Sequence, residues 1–283
     1  MPTPKSFRVY DKKVWFTEGF WPSGVAKQFS EIEGLKFQPL FQLFTDQATL
    51  KDFWDKDICI FVLGDYIERV TFRKLIEYAK RFGTFLKKIG IGKGDVVAID
   101  IPNSINFIVA YLGTQYIGAV AAPVNPNYRP NEALHEFQMI KPKILVLMDF
   151  IYFSGISLVL NKTTIKFVVH SYLLDFITAE GKTLKKLQEM VPNFQSKIPS
   201  KEDLYFTYNM KDMINKTEPE EIKVDYDIWN DPAVYLMTGG TTGLPKVAML
   251  SHANLISDLY MVKEWTRLKT GMIAIGTIPF FHS

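Results

Sequence analysis

The stretch TGGTTGLPK, Thr238 to Lys246, gathers three threonine hydroxyls and one lysine ammonium among three glycines within nine residues. Glycines let a backbone approach an anion closely, successive N–H groups can converge as a nest, and hydroxyls with an ammonium supply further donors to phosphate oxygens. Residues 233–237 (AVYLM) read as a short apolar strand that feeds into this loop, and 247–250 (VAML) resume a strand after it. The loop is therefore expected to be a strand-to-strand turn. A P-loop NTPase needs G-x-x-x-x-G-K-[ST] opening a helix, whereas Leu244 and Pro245 separate Gly243 from Lys246 and Val247 follows. The dinucleotide fingerprint G-x-G-x-x-G also fails, because Gly239 and Gly240 are adjacent. Spacing alone leaves two readings open, a phosphate cradle and an ordinary Gly/Thr-rich turn.

The elements that must carry this loop alternate along the chain. Residues 57–63 and 66–72 flank Gly64-Asp65, a hairpin turn. Thr71 caps a helix running to about Ile89, in which Leu75, Ala79, Phe82, Leu86 and Ile89 recur at helical spacing, and Gly90 stops it. A strand over 94–101, a helix over 105–116 and a strand over 119–124 follow. Then come a helix over 131–140 and strands over 143–148 and 165–171. Repeated strand, helix, strand units imply a largely parallel sheet. Residues 182–223 are polar and charged, and give only a short helix near LKKLQEM.

Composition limits the function classes. With 283 residues, 47% of them hydrophobic, the chain has material for a sizeable core. A net charge of +3 gives no broad electrostatic footprint for nucleic acid, so any anion site must be local. Cys59 is the single cysteine, which excludes an internal disulfide, and no Cys/His spacing suggests a metal site. A cytoplasmic location fits this composition, and MPTPKSFRVYDKKVW lacks the apolar core of a secretory signal. Residues 101–128 carry no charge over a length that could span a bilayer. Pro102, Asn103 and Asn106 at one end, Asn125 and Asn127 at the other, and Gly113, Gln115 and Gly118 between them favour a buried helix turning into a buried strand.

The segment YLMTGGTTGLPKVAMLSHANL resembles the phosphate-loop signature of the AMP-forming acyl-CoA synthetase, adenylation-domain and luciferase superfamily, T-[SG]-G-[ST]-T-G-x-P-K. Three further segments match in the same order. TFRKLIEYAKRFGTFLKKIGIGKGDVVAIDIPNS resembles the family's early helix and its Gly-Asp-x-Val strand, and YIGAVAAPVNPNYRPNE its Gly-Ala-x-x-x-Pro-x-Asn-Pro segment. IPFFHS resembles the Pro-x-x-His motif beside the acyl pocket. Val247 departs from the family's usual glycine.

The resemblance implies an α/β fold: the N-terminal portion of the adenylate-forming large domain, mainly parallel sheets flanked by helices, with the second sheet incomplete. It further implies a division into 1–90 (hairpin, helix and start of the second sheet), 91–262 (the βαβ subdomain with the loop) and 263–283 (a truncated continuation of the second sheet). By match to the motif, Thr238, Gly239, Gly240, Thr241, Thr242, Gly243 and Lys246 hold the ATP β- and γ-phosphates, and His282 lies at the acyl pocket. Implied substrates are ATP with Mg2+, a carboxylic acid, in particular a fatty acid, and coenzyme A. The magnesium-linked glutamate, the ribose-binding aspartate and the catalytic lysine of the family have no match here. The chain is thus expected to be an N-terminal part of an acid–CoA ligase with no complete catalytic set, the alternative being a catalytically inactive phosphate-binding module. His252 is expected to support the turn after the loop, and exposed apolar surface to promote homo-oligomers.

Overall fold

Polar caps and apolar periodicity start and stop the helices where the sequence places them. In the computed structural model, which describes residues 22–26, 29–46, 50–202, 204–239 and 245–282, helix α1 spans Phe72–Lys88. Thr71 accepts the Lys74 N–H at 3.3 Å, and Gly90 follows the helix with a φ of 85°. Strands β1 (Asp57–Leu63) and β2 (Tyr66–Thr71) precede α1 as an antiparallel hairpin. Gly64, with a φ of 59°, supplies the positive angle that a two-residue hairpin turn requires at its first position. Buried Glu68 ties this hairpin to the rest of the fold by accepting the Tyr66 hydroxyl, the Thr178 N–H and the Thr178 hydroxyl.

The main sheet is built from β3 (Val96–Asp100), β4 (Val120–Pro123), β5 (Ile144–Met148), β6 (Phe167–Ser171), β7 (Phe206–Asn209), β8 (Pro232–Thr238) and β9 (Lys246–Ser251). Their order is β7-β6-β5-β3-β4-β8-β9, parallel throughout except for the antiparallel β8–β9 edge. The chain moves from β3 to β4 in one direction and then crosses back to β5 on the other side of β3. Right-handed crossovers therefore put α2 (Ile105–Tyr116) and α3 (Pro130–Ile140) on opposite faces. The central strands are covered on both sides, which is why β5 reads as an unbroken apolar run. The charge-free segment is α2 followed by β4, and among the described residues no helix is long and apolar enough to cross a membrane.

The remaining helices are α4 (Asp149–Phe153), α5 (Gly181–Met190), α6 (Met210–Lys216) and α7 (His252–Thr266). The sequence reading found α5 and missed α4, β7, α6 and α7. Strand β7 has four residues at a sheet edge and is only partly covered, so it has no continuous apolar run. Helix α7 buries His252, Ala253 and Ile256 but exposes Leu259, Val262 and Trp265, so no single face stands out in its sequence. It starts at a capping box, in which Ser251 accepts the Asn254 N–H and Asn254 Oδ1 accepts the Ser251 N–H. Among the described residues the smaller sheet consists of β1 and β2, and no strand lies between 267 and 282.

Helices α1 and α2 meet at two glycines. A Cβ on Gly83 would lie 2.7 Å from the Gly113 carbonyl oxygen, and one on Gly113 would lie 2.9 Å from that of Ala79. Backbone atoms cannot yield as a flexible side-chain end can, so the contact admits only glycine without moving a helix. Gly83→Val is expected to lower unfolding stability by about 1–3 kcal/mol. The check is a urea midpoint that falls while the slope stays constant.

Candidate functional site

All six parallel strands point their carboxyl ends at one edge of the main sheet, and the segments leaving that edge are where a parallel α/β sheet binds ligands. Strand β8 ends there at Thr238, and β9 returns from it at Lys246. These two residues are register partners, and the Thr238 hydroxyl donates to the Lys246 carbonyl oxygen at 3.1 Å. The neck of the loop is thereby closed by ladder bonds and one side-chain bond. The expectation of a strand-to-strand turn agrees with this pairing. Gly239 and the Lys246 side chain are exposed. Among the described residues no carboxylate forms an ion pair with Lys246. Gly240, Thr241, Thr242 and Gly243 lie outside the described residues.

His282 is not on this hairpin. It ends a turn in which its N–H donates to the Pro279 carbonyl at 3.0 Å, and its exposed ring is 6.4 Å from that of Phe281. The preceding residues, 276–280, are held by Asn103 at the exit of β3. Only β4 separates β3 from β8 in the sheet, a lateral step of about 10 Å at ordinary strand spacing. The loop neck and the segment bearing His282 therefore lie along the same edge. Thr238 and Lys246 meet directly, and His282 belongs to a separate support.

His252 follows the loop's second strand and is fully engaged in structure. Its Nδ1 accepts the Leu40 N–H at 3.1 Å, and its ring meets Tyr226 edge-on at 4.9 Å between centroids. Burial lowers its pKa to about 4, so it is neutral at pH 7 and fixes the start of α7 against residues 40–44. The role as a support for the turn agrees with this geometry. His170, buried on β6, is likewise held down at about 4.

Sequence reasoning missed two acids beneath the carboxyl edge. Asp100, the last residue of β3, is 1% exposed, and its Oδ1 has no hydrogen-bond partner. Burial raises its pKa to about 8. Glu136 on α3 is also buried and is raised to about 8, first by burial and then by the charge of Asp100. Nothing in a lone Asp and a lone Glu 36 positions apart announces this pair. Near neutral pH both carboxyls are largely protonated, so this pair adds little negative charge under the edge.

These shifts fix the pH response. Asp100 and Glu136 hold protons more tightly when folded than when unfolded, where each titrates near 4. Their contribution to stability is complete below about pH 4 and is lost as pH rises to about 8. His170 and His252 act oppositely, since protonating the unfolded chain below about 6.5 costs stability that is fully lost by about 4. The urea midpoint is therefore expected to fall between pH 6 and pH 9, and Asp100→Asn is expected to flatten that fall. An unchanged slope in the variant would show that Asp100 is not its source.

A profile of the AMP-binding enzyme family matches residues 45–283. The long-chain-fatty-acid–CoA ligase of Salmonella typhimurium is 31% identical over 284 residues, covering 96% of this chain and 46% of that protein. The corresponding ligase of Bacillus subtilis is 26% identical over 286 residues, covering 97% of this chain and 46% of that protein. The chain thus spans about half the length of the curated relatives it matches. Among solved structures, the long-chain-fatty-acid-CoA ligase of Archaeoglobus fulgidus aligns with a TM-score of 0.68 at 22% identity, over 88% of this chain and 44% of its own. ATP-bound MatB from Rhodopseudomonas palustris aligns at 0.60 and 23% identity, over 86% of this chain and 41% of its own. Both likenesses concern the fold.

Proposed function

We propose, from the premise that the chain belongs to the AMP-binding enzyme family, that it carries the phosphate-handling part of an ATP-dependent, AMP-forming carboxylic acid–CoA ligase. The observation that carries this reading is a family match that includes a loop whose neck sits at the carboxyl edge of the sheet. The substrate acid is a fatty acid or a close relative, and coenzyme A is the thiol acceptor. In such a reaction the acid's carboxylate displaces pyrophosphate from ATP to give an acyl-adenylate, and the thiol then displaces AMP. An anion must meet a polyanion, so the protein's task is to position groups and offset negative charge.

The residues present suit that task. Lys246 projects an ammonium with no competing carboxylate partner among the described residues, and serves as a point charge for the β- and γ-phosphates. Gly239 is open among the described residues, where a Cβ would meet no atom within 4 Å, and close approach of a phosphate is a use for glycine there. Thr238 spends its hydroxyl proton at the loop neck and so shapes the cradle, while Gly240, Thr241, Thr242 and Gly243 supply its donors. His282 borders the acyl group. Among the described residues no three His, Cys, Asp or Glu side chains converge as a metal site. The protein is assigned to the cytoplasm, in keeping with its single cysteine.

A second reading is a phosphate-binding module without turnover. Acid-dependent ATP–pyrophosphate exchange by this chain separates the two, since a module would show none. In either case Lys246→Ala is expected to weaken ATP binding about tenfold to a hundredfold, the value of one charge-assisted hydrogen bond. Calorimetry giving equal affinities for variant and parent would remove Lys246 from the site. Trp265 at 53% exposure and Ile275 at 84% belong to an apolar surface that supports self-association. Size-exclusion chromatography is expected to show species larger than 32.5 kDa, and a sharp monomer at high concentration would count against self-association.

A further inference from the structure

Asn103 stands between β3 and α2, at a point the backbone fixes twice. Pro102 precedes it, and Ser104 after it caps α2 by accepting the Phe107 N–H at 3.3 Å. From this base the Asn103 carboxamide commits three of its four hydrogen-bonding positions to one distant segment. Its Nδ2 donates to the carbonyls of Gly276 at 3.1 Å and Ile278 at 2.8 Å, and its Oδ1 accepts the Phe280 N–H at 2.7 Å. The segment has no regular secondary structure and is otherwise largely exposed. Three bonds from one side chain are thus its main attachment to the sheet.

What the attachment places is the Phe280 ring, 5.3 Å from Phe107, over an apolar cavity of about 340 Å³. Leu40, Phe44, Phe107, Tyr111, Leu255 and Phe280 form its main walls. Resting on the ligase reading above, we infer that Asn103 is a positioning residue for the substrate acid. It straps residues 276–282 across the cavity, so that Phe280 closes the space taken by the acid's apolar tail and His282 stays at the carboxyl edge.

Only a carboxamide fits the three partners. A carboxylate at 103 would keep the acceptor for the Phe280 N–H but would set negative charge against two carbonyl oxygens. A protonated carboxyl would recover one of those two bonds. The strap should therefore fail in Asn103→Asp at neutral pH and return in part under acid conditions, whereas Asn103→Ala should fail at every pH.

The first measurement is hydrogen exchange of the peptide containing 276–282, normalised to intrinsic rates at pH 7.5 and pH 4.5, with circular dichroism to confirm that each variant is folded. The expected result is at least tenfold faster exchange in both variants at pH 7.5, with slowing at pH 4.5 in Asn103→Asp alone. Unchanged exchange in Asn103→Ala would overturn the strap. The second is calorimetric binding of decanoate and of ATP. Expected is a severalfold loss of decanoate affinity in Asn103→Ala with ATP affinity unchanged. Equal decanoate affinity despite lost protection would overturn the substrate role. If the parent protein binds no decanoate, the acyl part of the ligase reading fails and the substrate role with it, while the exchange experiment still decides the strap.

Discussion

Parallel pairing is the constraint on which the rest of this structure depends. Once β3, β4 and β8 run in the same direction, their exits must share an edge, whatever lies between them in sequence. That places Asn103 and Thr238, 135 positions apart, about two strand spacings from one another. The reversal of chain direction at β3 then directs α2 and α3 to opposite faces and leaves the edge between them uncovered by crossover helices. Antiparallel β9 ends the parallel run, and its pairing with β8 turns the intervening segment into a hairpin loop instead of a helix start.

Burial on both faces of the sheet has an electrostatic consequence. Neither the central strand that carries Asp100 nor the buried face of α3 that carries Glu136 offers its side chains solvent, so both acids are tolerated chiefly by keeping their protons. The same burial holds His170 and His252 neutral. Asp100 and Glu136 thus add little negative charge under the carboxyl edge near neutral pH, and the nearby α2 N-terminus adds a positive partial charge. With a net charge of only +3 over the chain, the local field at this edge depends on few groups, of which Lys246 is the one projecting at the loop.

Much of the fold was legible because local chemistry and burial agree. Thr71 and Ser104 cap helices whose apolar faces match the observed core, and Gly64 and Gly90 take the left-handed angles that end their elements. Legibility failed where burial is partial. Strand β7 is short and marginal, and α7 presents apolar side chains on several sides, so neither has a clean period. For the site, the sequence carried the loop as a motif and its strand-to-strand setting as an expectation. The bond between Thr238 and the Lys246 carbonyl follows from that setting. In the sequence Asn103 is only one polar residue at a helix entrance, because its partners lie more than 170 positions away and are backbone atoms with no signature of their own.

The two supports of the edge differ in a way that bears on how it works. The loop neck is set by a strand pair whose ladder ends at the Thr238–Lys246 register, so a displacement there strains the run of pairs behind it. Residues 276–280 are held by the Asn103 carboxamide and by the contact of Phe280 with Phe107, on irregular chain. Cooperative ladders resist local opening, whereas an attachment through a single side chain opens at the expense of that side chain's bonds alone. A charged phosphate group gains from a rigid donor array that needs no reorganisation. An apolar tail is held by shape and contact instead, and must enter past whatever closes its cavity. Rigidity at Thr238 and a releasable strap at Asn103 thus match the demands of the two substrates that this edge is proposed to bring together.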